Sequence, residues 1–409
     1  MVRSTVVGVA LVGFVVTVSA AKSISVVESR WPDRVTAHEW GTFTSVAGED
    51  GRAIEWLPLS GPTDLPCFVE HFQNSNVVKI LPTEDARLID YETARSHLWG
   101  KVRMETPVLY FYGPRETAVS VQVRFPRGLI TEWYPHAKAS LMGVTATSLR
   151  NPQFSSVLDW GRVVIAPARS AALPTESGKS HYYAARETEA SPVSVGTQSE
   201  KFLFYRGVAN FDVPLSARVT PGDSVELRNL GPDAIPNVVL FERRGSQIGY
   251  RIGGALASGG TLAPPTLDGS VESLRSDLYK MLIAAGLFPE EASAMLETWR
   301  DSWFEDGVRV FYIVPPKAVD AFLPLSITPA PASVARVFVG RMEVVTPSVQ
   351  QTVESAIMSH DAATLERYGR FLGPISDRIL AKRPSAASAI RSATEAGFAS
   401  YVRRATVCE

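Results

Sequence analysis

Short runs rich in valine, tyrosine and phenylalanine alternate with proline, glycine and aspartate between residues 104 and 262. The clearest run is Val119–Phe125, in which every second residue is apolar. This period of two indicates a β-strand with one buried and one solvated face. Further strands are predicted at Leu129–Tyr134, Val157–Ile165, Phe202–Tyr205, Leu215–Val219 and Val238–Glu242. We therefore predict a mainly β protein with some α structure, whose body over residues 104–262 is an antiparallel β-sandwich.

Three blocks repeat one order of features: an aromatic strand, a spacer, and a second strand ended by proline. They cover residues 109–126, 203–221 and 310–329. The repeat indicates recurring hairpins within one sandwich or a pair of sandwiches. Any β-rich chain yields some echoes of this kind, so only the fold class is drawn from the repeat.

Helical spacing interrupts the strands after residue 262. Apolar residues recur every three or four positions between Ser270 and Ala285, and a second helix is predicted to begin at Pro289. We expect residues 263–306 to form a helical hairpin inserted between strands. Residues 307–346 are expected to return to the β body.

The two ends of the mature chain are less regular in pattern. Residues 22–103 are predicted to be an irregular segment with some β structure. Residues 347–409 are predicted to be a C-terminal helical segment with a break at Gly373-Pro374. The basic bias of this segment is explained more simply by a solvated helix face than by a nucleic-acid site.

Residues 1–21 have the organisation of a secretory signal peptide. Arg3 supplies a positive charge, an apolar run extends from Val6 to Val18, and small residues place a cleavage site near Ala20 or Ala21. The apolar run is shorter than the roughly 20 residues that a membrane helix needs. We expect a soluble periplasmic or secreted protein, which would contact the membrane only if the signal were retained as an anchor.

Charge and cysteine content narrow the function classes. A net charge of −1 argues against a nucleic-acid partner, which requires a basic surface. Two cysteines are too few for a disulfide-rich scaffold or a cysteine-rich zinc module. In an oxidising compartment Cys67 and Cys408 can form a disulfide, and two unpaired thiols are the alternative.

The sequence contains none of the strong catalytic or phosphate-binding motifs, such as HExxH, GxSxG or GxxxxGK[ST]. A metal site is one hypothesis for the polar clusters that remain. His38, His136 and His181 are candidate ligands for zinc or another divalent metal, and the cofactor is otherwise unknown. The alternative is that each histidine makes a local hydrogen bond, because no pair has the i,i+4 spacing of a helical metal motif.

Carbohydrate binding or hydrolysis is the second hypothesis, since sugars stack on aromatic rings and their hydroxyls bond to carboxylates. Glu39 and Glu132, each followed by a tryptophan, are candidate catalytic carboxylates. Five residues are candidate ligand contacts: Trp40, Trp133, Tyr134, Tyr182 and Arg186. The alternative places both tryptophans in the core, because neighbouring residues of a strand point to opposite faces.

Three blocks carry a resemblance: His38–Thr44, Met104–Tyr112 and Ser302–Gly307. They resemble blocks in exported bacterial proteins of unknown activity, over most of the mature chain. The resemblance implies export and implies no catalytic residue or cofactor. A binding protein for a glycan or another cell-envelope component is the first functional expectation, followed by a metal-dependent or glycan-directed hydrolase and by a structural scaffold.

Overall fold

The computed structural model describes residues 34–61, 65–72, 98–142, 153–168, 171–177 and 180–402, together with residues 1, 96 and 150. The described residues from Arg34 onward belong to one compact unit. The predicted signal peptide, apart from Met1, lies outside the described residues. No helix within the described ranges is both long enough and apolar enough to cross a membrane.

The described chain is mainly β, as the sequence predicts. Its strands, in chain order, are β1 (Thr36–Val46), β2 (Glu70–His71), β3 (Val102–Tyr112), β4 (Thr117–Pro126), β5 (Gly128–Tyr134), β6 (Lys138–Met142), β7 (Ser155–Ile165), β8 (Val193–Val195), β9 (Gln198–Glu200), β10 (Leu203–Ala209), β11 (Leu215–Val219), β12 (Val225–Asn229), β13 (Ile235–Arg244), β14 (Gln247–Leu256), β15 (Gly259–Leu262), β16 (Gly307–Ile313), β17 (Leu325–Thr328) and β18 (Ser333–Glu343).

Helices occupy the later part of the chain. The α-helices of the described residues are α1 (Val271–Ala284), α2 (Pro289–Thr298), α3 (Pro316–Phe322), α4 (Pro347–Met358), α5 (Ala362–Glu366), α6 (Leu372–Lys382) and α7 (Ala387–Val402). Short 3-10 helices include His181–Arg186, which borders the candidate site described below. The predicted helical pair near residues 270–300 is observed as α1 and α2.

Three sheets make up the β structure of the described residues. The nine-stranded sheet has the order β14-β13-β16-β18-β1-β3-β10-β5-β2. A six-stranded sheet contains β17-β4-β7-β8-β9 with β6 beside β7, and a small sheet contains β11-β12-β15. Neighbouring strands pair antiparallel except β1 and β18, which are parallel from Thr36 beside Ser333 to Val46 beside Glu343.

Both faces of the nine-stranded sheet are buried along its inner strands β1, β3, β10 and β16. In β3, Leu109 and Phe111 belong to one hydrophobic cluster, whereas Val108 and Tyr110 belong to the other. The first cluster also holds residues of the two smaller sheets and of α4 and α6, and the second holds residues of α1 and α2. The large sheet is therefore a middle layer, with α1 and α2 on one side.

The C-terminal helical segment is anchored in the first cluster by two adjacent residues. Arg370 pairs with the buried carboxylate of Glu105. Phe371 lies 4.8 Å from the guanidinium of Arg341 and 5.4 Å from that of Arg309. Burial opposes ionisation of Glu105, but Arg370 and Arg103 outweigh it and lower its pKa. Removing this segment would therefore expose apolar surface and buried charge together.

The prediction that the three repeated blocks are hairpins is wrong. In each block the first strand (β3, β10 or β16) lies in the nine-stranded sheet, and the second (β4, β11 or β17) lies in another sheet. A hairpin requires both strands in one sheet, whereas these connections cross between layers. Alternating apolar residues indicate that a strand has a buried face, but they do not indicate which strand it pairs with.

The predicted helix break at Gly373-Pro374 is also wrong. Both residues lie in the first turn of α6. The first N–H groups of a helix have no acceptor within it, so a proline there loses no hydrogen bond. The α-helices of this segment are instead interrupted at residues 359–361, 367–371 and 383–386.

Candidate functional site

The three histidines proposed as metal ligands lie at separate places. Each pairs with a different carboxylate: His38 with Glu291, His136 with Glu70, and His181 with Asp301. Among the described residues, no group of three or more His, Cys, Asp or Glu side chains is arranged to hold a metal ion. The zinc hypothesis therefore gains no support from this part of the chain.

His38 belongs to a buried hydrogen-bond network. Its Nδ1 lies 2.9 Å from Oε2 of Glu291, and its ring stacks on Phe288 at 4.2 Å. Glu291 also accepts the Tyr112 hydroxyl at 2.7 Å and the Phe288 backbone N–H at 2.8 Å. Burial and the nearby Glu291 charge raise the pKa of Tyr112. This network fastens the start of α2 to the nine-stranded sheet.

The two proposed catalytic glutamates are buried and neutralised by arginines. Glu39 accepts Nε of Arg336 and the hydroxyl of Tyr205, at 2.7 and 2.6 Å. Glu132 accepts Nη2 of Arg206 at 2.8 Å. Glu39 lies on β1 and Glu132 on β5, and two other strands lie between them in the sheet. The three strand spacings amount to roughly 14 Å. Paired glycosidase carboxylates lie closer together, so this geometry does not favour a catalytic pair.

The proposed aromatic contacts are core residues. Trp40 is fully buried, and Trp133 and Tyr134 are at most 5% exposed. The indole N–H of Trp133 donates to Glu70 at 3.1 Å. These rings cannot stack on a sugar unless the sheet opens.

Tyr182 and Arg186 lie on the 3-10 helix and bind a single carboxylate. Arg186 donates to Glu200 through Nη2 at 2.6 Å and Nε at 2.9 Å, and the Tyr182 hydroxyl donates to it at 3.1 Å. Burial raises the pKa of Glu200 even though Arg186 opposes the shift. Because Arg186 is occupied by Glu200, its main role in this structure is to position the 3-10 helix.

Cys67 is disulfide-bonded. Its backbone N–H and that of Phe68 donate to the Glu176 carboxylate at 2.9 and 3.1 Å. Cys408, the other cysteine of the sequence, lies outside the described residues. The pairing of Cys67 with Cys408 stays a prediction.

A cleft of about 630 Å³ lies where α1, α2 and the end of the 3-10 helix meet, and we call it the helical cleft. It is lined by Ala184, Glu187, Val271, Glu272, Arg275, Ser276, Tyr279, Ser293, Ala294, Leu296 and Glu297. Small-molecule sites commonly have volumes of about 300–1,000 Å³. Its size and mixed lining make this cleft the best candidate functional site in the described part of the chain.

The fold of α1 explains why its polar side chains face the cleft. Leu274, Leu278 and Leu282 are buried in the second cluster and fix one face of the helix against the sheet. The residues at positions 272, 275, 276 and 279 have i, i+3, i+4 and i+7 spacing and share another face. The side chain of Ser270 caps the start of the helix by accepting the backbone N–H of Ser273 at 3.1 Å.

A chain of ion pairs runs along one side of the helical cleft. Arg275 on α1 pairs with Glu297 on α2 at 3.1 Å, and Arg300 pairs with the same carboxylate. Asp301 continues the chain, 3.6 Å from Arg300 and 3.3 Å from His181. Burial opposes ionisation of Glu297, but Arg275 and Arg300 outweigh it and lower its pKa. Arg275 is therefore occupied, and it ties the two helices together across the cleft.

Two carboxylates of the cleft have no counter-charge. Glu187 and Glu272 are exposed, and neither side chain makes an ion pair or hydrogen bond within the described part of the chain. Tyr279 supplies a half-buried aromatic ring, and serine hydroxyls lie on both helices. The lining thus offers acceptors, donors and one aromatic surface, with an excess of negative charge.

Sequence reasoning missed most of this lining. It singled out the 3-10 helix through Tyr182 and Arg186, which lie beside the cleft, but it treated α1 and α2 only as a helical hairpin. A signal was present, because Glu272, Arg275 and Tyr279 form a polar and aromatic stripe at helical spacing. The contribution of α2 could not be inferred, since it depends on how the two helices pack.

Comparison with known proteins finds no family model that matches the chain and no curated relative.

Proposed function

We propose that this chain is an exported binding protein that recognises a glycan of the cell envelope through the helical cleft. Export is supported by the signal-peptide pattern of residues 1–21. The observation that carries the binding proposal is that two carboxylates without a counter-charge, Glu187 and Glu272, line the same cleft as the ring of Tyr279.

The chemistry of these groups suits a sugar. Carboxylates accept hydrogen bonds from ring hydroxyls, and such charge-assisted bonds are stronger than neutral ones. The apolar face of a pyranose can pack on an aromatic ring such as that of Tyr279. The negative charge of the cleft disfavours an acidic ligand, so a neutral or amino-bearing glycan is the expected class.

Glycan hydrolysis by Glu39 and Glu132 is less well supported. Each carboxylate is buried against an arginine, at distances of 2.7 and 2.8 Å. A buried, neutralised carboxylate is a poor base or nucleophile. A structural scaffold would bind no glycan, so the binding experiment described next distinguishes it from the proposed binding protein.

The test is a calorimetric titration of the purified mature protein with oligosaccharides of N-acetylglucosamine and of glucosamine. Replacing Tyr279 by Ala is expected to weaken binding about fivefold, because an aromatic contact contributes about 1 kcal/mol. Tyr279→Phe keeps the ring and should retain most of the affinity. The absence of binding at millimolar sugar would contradict the proposal and favour a scaffold.

A matched pair of carboxylate variants locates the site. The double variant Glu187→Gln/Glu272→Gln is expected to weaken binding about fivefold or more, since each change replaces a charged acceptor by a neutral one. The control is Glu116→Gln, which changes an exposed glutamate between β3 and β4. Equal losses in the double variant and the control would place the glycan elsewhere.

A further inference from the structure

A second pocket, of about 540 Å³, lies beside α3 on a different part of the molecule, and we call it the α3 pocket. Its lining includes Arg52, Asp212, Leu230, Asp233, Lys317, Ala321 and Phe322. It shares no residue with the helical cleft. What binds in one pocket can therefore be tested independently of the other.

The α3 pocket has an apolar floor, and aromatic stacking holds that floor in place. The ring of Phe322 stacks on Phe211, with centroids 4.1 Å apart and planes 13° apart. Leu230 is 40% exposed, a large exposure for an isobutyl side chain. Three prolines restrict the backbone of the walls, which reduces the entropy lost when a ligand binds. The pocket thus presents a preformed hydrocarbon surface.

The rim of the pocket carries two acids, and each acid has its own lysine. Asp212 pairs with Lys101 at 2.6 Å, and Asp233 pairs with Lys317 at 2.9 Å. Arg52 is exposed at the same rim, and its guanidinium makes no ion pair among the described residues. Lys101 lies outside the lining; when it is counted, three cations face two carboxylates, and Arg52 is the cation that is left over.

A further cation adds to this positive charge. Asp212 lies close enough to Arg127 and Arg52 for both to lower its pKa, after the larger effect of the Lys101 hydrogen bond. The Nε of Arg127 is buried and has no hydrogen-bond partner within the described ranges. The lining of the α3 pocket thus has no excess of negative charge, unlike that of the helical cleft.

We propose that the α3 pocket binds a small amphipathic carboxylate of the medium-chain fatty-acid class, with its head group at Arg52 and its hydrocarbon chain against Leu230 and Phe322. A guanidinium matches the two oxygens of a carboxylate in a planar, bidentate arrangement. A simple inorganic anion would leave the apolar floor uncovered, and a neutral alcohol would leave Arg52 without its counter-charge. Only an amphipathic anion uses both features of the pocket.

The test is calorimetric titration of the full mature protein with decanoate, decanol and decyltrimethylammonium at concentrations below micelle formation. Decanoate is expected to bind, the alcohol to bind about tenfold more weakly, and the cation to show no binding. Equal affinity for decanoate and decanol would overturn the assignment of Arg52 as the head-group site. No decanoate binding at millimolar concentration would overturn the proposal altogether.

Two variants check the two halves of the pocket. Arg52→Gln is expected to weaken decanoate binding about tenfold and leave decanol binding unchanged, because it removes a charge-assisted bond. Arg162→Gln, at an exposed position on β7, is the control and should change neither. Ala321→Phe introduces a ring at an exposed residue of α3 and should abolish binding of both ligands. Unchanged binding in Ala321→Phe would place the ligand elsewhere and overturn the proposal, whatever the outcome at the helical cleft.

Discussion

Replacing Arg309 by Met probes the most deeply buried ion pair among the described residues. Arg309 and Glu343 are both fully buried on neighbouring strands, with Nε and Oε2 2.9 Å apart. The other two nitrogens of Arg309 donate to the carbonyls of Trp303 and Asp306, each at 2.8 Å. Methionine fills much of the same volume and supplies none of these three bonds.

The expected loss of stability is large and depends on pH. Removing one partner of a buried pair costs about 3–5 kcal/mol. Burial raises the pKa of Glu343 to about 7, although Arg309 and Arg341 oppose the shift. A raised pKa means that the contribution of Glu343 to stability is complete below its unfolded pKa and is lost as the pH rises through about 7.

Without Arg309 the pKa of Glu343 rises further, so the loss continues to higher pH. One pKa unit corresponds to about 1.4 kcal/mol. We therefore expect Arg309→Met to lower the free energy of unfolding by about 4 kcal/mol at pH 8. At pH 5 the carboxyl is protonated in both proteins, and the loss should be smaller by about 1–2 kcal/mol.

Urea unfolding followed by tryptophan fluorescence at pH 5 and pH 8 measures both values. The surface variant Arg162→Met is the control and should change stability by less than about 0.5 kcal/mol. In a Glu343→Gln background the titrating group is absent, so adding Arg309→Met should lower the free energy of unfolding by the same amount at both pH values. A loss below about 1 kcal/mol at pH 8, or equal losses at both pH values, would refute this reasoning.

Three further outcomes are expected. Gly207→Ala should destabilise the fold by about 2 kcal/mol or more in thermal unfolding, because the new Cβ would lie 2.1 Å from the Leu129 carbonyl oxygen. The control Gly373→Ala has open space around the new Cβ and should be nearly neutral. Equal effects of the two substitutions would contradict this steric explanation. Non-reducing mass spectrometry should find a peptide that links Cys67 to Cys408, and two free thiols would end the pairing hypothesis. N-terminal sequencing of the exported protein should begin near residue 21 or 22, whereas an intact N-terminus would indicate a retained anchor.

The sequence predicted β4 well and β1 poorly, for a physical reason. Alternate residues of β4 are exposed, so its polar positions mark the solvated face. All of β1 is buried, and the polar side chains of His38, Glu39 and Thr44 bond to partners that are distant in the sequence. Glu39, for example, pairs with Arg336, which lies 297 positions later. Local periodicity does not reveal a strand that is buried on both faces.

The candidate site, like the strands, could be predicted from the sequence only in part. The helical pair was expected because its apolar spacing is local, and the 3-10 helix was singled out by its cluster of aromatic and charged residues. The helical cleft arises only when these elements pack together. His38, Glu39 and Glu132 stood out in the sequence as polar residues beside aromatics, and the structure shows that buried partners satisfy each of them.

Hydrogen–deuterium exchange with and without a saturating glucosamine or N-acetylglucosamine oligosaccharide tests the central proposal most directly. Slower exchange is expected in peptides that cover residues 181–187 and 270–300, with no change in α3 or in the six-stranded sheet. Protection confined to other regions, or no protection at a concentration that binds, would contradict the assignment of the helical cleft as the glycan site.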